Sequence, residues 1–164
     1  MEVVLFSGFL LHMIYGVIVS LVNWQARPVG YKKANHSQTS FFSKYMFHTA
    51  VIVTIFLVLH LIDFWVKMRF IENVPSEVYY DGEAYHDLAS LVIARFKIGW
   101  VVIVYVVALI GLGFHLHHGF QSAFQTIGLN HPVYSPIIYA AGLIYTFVIT
   151  LGFILIPVVV YFFK

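Results

Sequence analysis

The stretch Gly111-Leu-Gly-Phe-His-Leu-His-His-Gly-Phe-Gln-Ser-Ala-Phe-Gln125 closes a long apolar run and carries His115, His117 and His118. Ionisable groups are costly to strip of water, so a histidine inside an apolar span is first a candidate for function. His115 and His118 are three apart and share a helix face, while His117 points away from both. Gly119 lies one turn beyond His115 and Gly111 one turn before it. A histidine bracketed by glycines on one stripe leaves a bare helix surface, where a flat ring such as a haem, bound through the imidazole, would fit. Two other readings stay open: a histidine satisfied by a neighbouring helix, and glycines serving only close helix packing.

The pattern repeats. His12 is followed by Gly16 in His-Met-Ile-Tyr-Gly, with the spacing of His115 and Gly119 in His-Leu-His-His-Gly. Zinc prefers three or four converging ligands, usually including Cys or a carboxylate, and no second ligand shares a face with His12. A proton relay would pair histidine with intramembrane acids, but Asp63 is the only acid within a span and stands near its end. Lone histidines on separate helices suit haem ligation in a bundle core, with one imidazole from each of two helices. His60 is solitary too, and Asp63 follows it on the same α-helical face, so a hydrogen-bonded His60–Asp63 pair is an alternative that needs no cofactor. His48, His117 and His118 read as interfacial; His36, His86 and His131 fall in connections.

These side chains are carried by four apolar runs, each near the roughly 20 residues that cross a bilayer as a helix. They extend from about Val3 to Val22, Tyr45 to Val66, Ile98 to Gly119 and Ile137 to Phe163. The chain is 61% hydrophobic and 10% charged, with a mean hydropathy of +0.89; a soluble domain is nearer one-quarter charged. The fold class expected is therefore all-α, a single transmembrane helical bundle over 1–164. Cysteine is absent, which excludes disulfides and any thiolate-held metal or iron–sulfur cluster in this chain. A net charge of +2 gives no argument for a nucleic-acid partner. The opening lacks the charged start and cleavage site of a secretory signal.

Four crossings put the connections 23–44 and 121–136 on one side, side A, and 67–97 with both termini on side B. Pro28, Gly30, Pro75 and Asp81-Gly82 mark turns, and Asp87 to Phe96 reads as an amphipathic helix at the interface. Side A holds Arg27, Lys32, Lys33 and Lys44; side B holds Lys67, Arg69, Arg95, Lys97 and Lys164. That near balance leaves orientation undecided. His12 and His115 come to comparable depths towards side A, whereas His60 stands roughly 10 Å from side B. Most aromatics fall at span ends, as an interfacial belt does, and define no quinone pocket.

Four segments together resemble a known family: Leu10-Leu-His-Met-Ile-Tyr-Gly16, Ala26-Arg-Pro-Val29, Leu57-Val-Leu-His-Leu61 and Gly113 through Pro132. The chain is similar to the cytochrome b membrane anchor of succinate:quinone oxidoreductase (succinate dehydrogenase or fumarate reductase), of the type in which one polypeptide holds two haems. The resemblance implies five helices and four ligating histidines, with the four spans here matching helices two to five. It implies that His12 and His115 bind the proximal haem b near the cytoplasmic flavoprotein and iron–sulfur subunits, with side A cytoplasmic. Gly16 and Gly119 would lie against the ring. His60 would ligate a distal haem whose opposite histidine belongs to the first helix, which this sequence lacks. The expected role is electron transfer between the iron–sulfur subunit and a membrane quinone, menaquinone, in the inner membrane of a bacterium, within a respiratory complex that can form a higher oligomer. Succinate would not touch this chain. Arg27, Lys32 and Lys33 either help dock the iron–sulfur subunit or only set topology. Other readings are a hydrogenase or formate dehydrogenase cytochrome b, and a haem-free membrane interaction or channel subunit.

Overall fold

The structure is a computed structural model that describes residues 1–26, 45–71 and 77–164. The readings placed on Arg27, Pro28, Val29, Gly30, Lys32, Lys33, His36, Lys44 and Pro75 fall outside the described residues. Four helices are long and apolar enough to cross a membrane: Glu2–Gln25, Met46–Phe70, Gly99–Thr126 and Ser135–Phe163. At 1.5 Å per residue the shortest, of 24 residues, is about 36 Å long and exceeds a hydrocarbon core of about 30 Å. The chain is a multi-pass, all-α membrane protein. Each helix outruns the apolar stretch that marks it, because helical hydrogen bonding continues into the polar flanks.

Two compact units make up the chain, 1–40 and 41–164. The first is described through α1 (Glu2–Gln25). Its first turn carries Glu2, where a negative charge complements the positive end of the helix dipole.

The second unit starts with α2 (Met46–His60), a π-helical turn (Leu61–Val66) and the short α3 (Lys67–Phe70). Backbone angles stay helical across both joints, at His60 and at Lys67, so these three form one 25-residue rod. Extended backbone at Ile71 ends it. The side-B connection is folded: β1 (Glu77–Tyr80) pairs antiparallel with β2 (Glu83–His86), with Glu77 opposite His86 and Tyr80 opposite Glu83. Asp81 and Gly82 both take positive φ, 52° and 84°, the two-residue turn whose twist matches a hairpin. α4 (Leu88–Phe96) follows, with Ser90 N donating to Asp87 Oδ1 at 3.0 Å as the N-cap bond.

α5 (Gly99–Thr126) packs against both α2 and α6 (Ser135–Phe163). A Cβ added at Gly111 would meet Ile52 Cγ2 of α2 at 3.1 Å, and one at Gly113 would meet Thr150 Oγ1 of α6 at 2.7 Å. The missing side chains therefore let neighbouring spans close on α5 from two directions, as membrane helices do where small residues face each other. At the far end of α5, Gly128 N bonds to Gln125 O and Leu129 N to Phe124 O. With Gly128 at φ 84°, this is the glycine-terminated cap that satisfies the last carbonyls. The core lies at the opposite end, where Phe96, Val101, Val102 and Tyr105 are buried with Phe56, Phe64 and Val160 against them.

Candidate functional site: ligand histidines and a buried carboxylate

His115 is half-buried on α5. Its Nδ1 lies 3.3 Å from Thr49 Oγ1 of α2, and that hydroxyl donates its proton to Met46 O at 2.9 Å. A hydroxyl has one proton to give, so Thr49 accepts from His115 Nδ1–H. The imidazole is thereby held in the tautomer with its lone pair on Nε2. A second hydrogen bond that orients the ring and fixes the tautomer is the usual support of a metal-ligating histidine.

The glycines around His115 divide into two kinds. Gly111 is buried against Ile52, so the groove expected on that side of His115 is filled by α2. Among the described residues, a Cβ at Gly119 would meet only the end of a flexible side chain, Met46 Cε at 4.0 Å. Helix packing accounts for Gly111 and Gly113 but not for Gly119, whose backbone is open to a flat group. In the first unit, His12 is exposed on α1 and Gly16 follows one turn later, its carbonyl accepting from Ser20 Oγ at 2.8 Å. Among the described residues of its own unit, no atom would come within 4 Å of a Cβ at Gly16.

His60 ends α2 with its ring exposed among aromatics. Phe64 is 5.1 Å away between ring centroids, Phe56 5.9 Å and Tyr105 6.2 Å. Asp63 is not its hydrogen-bonding partner, which corrects the pairing that α-helical spacing suggests. The π turn begins at Leu61 and holds more residues per turn than an α-helix, so a residue three positions on is carried away from the His60 face. Asp63 is 5% exposed. Tyr105 donates its hydroxyl to Asp63 Oδ2 at 2.8 Å, and Arg95 Nη2 reaches Asp63 Oδ1 at 2.8 Å. The guanidinium also stands 5.6 Å above the Trp100 ring, a cation–π distance. Three elements thus meet on one carboxylate inside a span.

His117, read as interfacial from the sequence, is buried on α5. Gln121 Nε2 stands 3.1 Å from its Nε2, and the Tyr139 ring of α6 meets it edge-on at 5.6 Å. Its direction away from His115 aims it at α6 instead of lipid. His48 is exposed with Tyr45 and Phe47 edge-on to it, as an interfacial residue would be. His131 accepts from Val133 N and serves its own loop. Among the described residues, no three His, Asp or Glu side chains converge to hold a metal ion.

Sequence reasoning missed Thr49, Gln121, Tyr105 and Arg95. An intramembrane Thr, Gln or Tyr carries little signal of its own, and Arg95 reads as an ordinary interfacial cation. Asp63 was the available clue, since a carboxylate inside a span needs partners. No family model, curated protein or solved structure matches this chain.

Proposed function

We propose that this protein is the cytochrome b anchor of a succinate:quinone oxidoreductase, carrying electrons between an iron–sulfur subunit and menaquinone in a bacterial inner membrane. His115 and His12 would supply the two axial imidazoles of one haem b, with Gly119 and Gly16 as the bare backbone beside the ring. His60 would supply one ligand of a second haem, opposite a histidine from another helix. Bound haem provides a one-electron carrier; the chain provides axial nitrogens and a low-dielectric setting that tunes its potential. The observation that carries this reading is the Thr49–His115 contact of 3.3 Å, which leaves Nε2 as the donor nitrogen. The open backbone at Gly119 agrees with it, as does the resemblance in Gly113 through Pro132. The flavoprotein and iron–sulfur partners follow from the resemblance alone.

The test is a reduced-minus-oxidised optical spectrum of the purified protein, repeated for His115→Ala and His12→Ala. A low-spin b-type signal lost in both variants supports shared ligation. An identical signal in native and variant proteins overturns the assignment, and no signal in native protein favours a haem-free membrane subunit.

A further inference from the structure

We propose that α4 is a latched lid over the side-B end of the second and third spans, and that Asp63 is its catch. An amphipathic helix beside a bilayer can bury its apolar face in the lipid interface. Here Leu91 and Phe96 go into protein instead, at 8% and 4% exposure. Phe96 packs on Phe64 and Tyr105, at 6.0 and 4.9 Å between ring centroids. The same helix ends with Arg95 on Asp63.

The two contacts depend on each other. An ionised carboxylate buried in a span is untenable without a cation, and the Tyr105 hydroxyl supplies a hydrogen bond but no charge. The cation comes from α4, so the buried Asp63 has its charge partner only while α4 is docked. Conversely, apolar burial of this short helix rests on Leu91 and Phe96, with Val92 half-buried against the same core, and the ion pair adds the polar contact that seats its last turn. The catch is also built to release. One guanidinium nitrogen meets one carboxylate oxygen, and Arg95 Nε is buried with no acceptor among the described residues. A bidentate Arg–carboxylate pair would hold harder. α4 is joined to the exposed hairpin at Asp87 and, at its other end, to α5 through Lys97 and Ile98, so it lifts by pivoting about that two-residue joint. Lifting would admit side-B water to Asp63, Tyr105 and the His60 cluster.

The chain has no cysteine, so a single introduced thiol is a clean reporter. Leu91→Cys in the full-length protein in lipid nanodiscs should react slowly with a maleimide. Adding Asp63→Asn or Arg95→Gln should speed labelling about tenfold or more, with Arg95→Lys between the two. The Asp63→Asn/Arg95→Gln double variant leaves no unpaired charge and should label as fast, covering the case where a single variant does not fold. Thr146→Cys, at a site 8% exposed in the middle of α6 and outside the cluster that α4 covers, should stay unlabelled in every background. Labelling at position 91 that stays slow in the double variant overturns the catch. Labelling at 91 and 146 that accelerates together also overturns it, because the pair would then hold the bundle and not a lid.

Discussion

Thr49 Oγ1 and His115 Nδ1 lie 3.3 Å apart across the α2–α5 contact, and the direction of that hydrogen bond decides which histidine nitrogen keeps its lone pair. The hydroxyl is already committed as donor to Met46 O, so the imidazole must give its Nδ1 proton. Thr49→Val keeps the shape and removes the acceptor. We expect haem affinity at this site to fall about 10- to 100-fold, the usual effect of losing such a supporting bond, with a shifted midpoint potential. Haem titration and redox potentiometry measure both. An unchanged affinity and potential would show that Thr49 does not support the ligand.

The glycines of α5 should separate by phenotype. Gly113→Val places a Cβ 2.7 Å from Thr150 Oγ1 and should cost about 1–3 kcal/mol by overpacking, read as a lower thermal midpoint in detergent. Gly119→Leu meets no such obstacle and should leave the midpoint close to native while lowering haem occupancy. Equal loss of stability at both positions would place Gly119 in helix packing as well.

Tyr105→Phe removes the donor to Asp63 Oδ2 and leaves a buried carboxylate oxygen unsatisfied. The expected loss is about 1–3 kcal/mol. Asp63→Leu should cost more, because it abandons the Arg95 guanidinium; breaking a buried pair from one side typically costs about 3–5 kcal/mol. Equilibrium unfolding in mixed micelles ranks the two, and Tyr105→Phe proving the worse variant would contradict the network described here.

Asp87 gives the side-B connection a pH dependence. Its carboxylate accepts from the Ser90 hydroxyl and then from Ser90 N–H, and these bonds hold its pKa below the usual carboxylate value. A depressed folded-state pKa means the cap's contribution is complete above the unfolded carboxylate range and is lost as pH falls through the folded value. Amide exchange in residues 88–96 should therefore quicken on acidification, beyond the intrinsic pH trend. Asp87→Ala should show the faster exchange already at neutral pH and lose the dependence.

Much of the molecule was legible before any coordinates. Four apolar runs long enough for a bilayer leave little choice of fold, since backbone amides in lipid must be satisfied within each helix. The turn at Asp81-Gly82 and a helix from about Asp87 to Phe96 follow from local patterns and were readable in the same way, though not the Asp87 cap. His115 and Gly119 stood out because their spacing falls on one helical stripe. The strands themselves were not foreseen, for four residues on each side of a turn carry too little pattern.

What the amino-acid order determined, then, is everything of short range: which stretches span, where they stop, and which faces carry imidazole and glycine. Three matters were left to tertiary structure. Whether a glycine packs or stays open depends on the neighbouring helix, so Gly111 and Gly119, alike on paper, differ because Ile52 reaches one and only Met46 Cε approaches the other. The partner of Asp63 depends on a π turn that breaks the 3.6-residue period on which face assignments rest, sending the carboxylate to Tyr105, 42 positions away, and not to His60, the alternative that α-helical spacing offered. And His117 is buried because α6 crosses where a lone helix would meet lipid, a fact that no property of α5 alone contains.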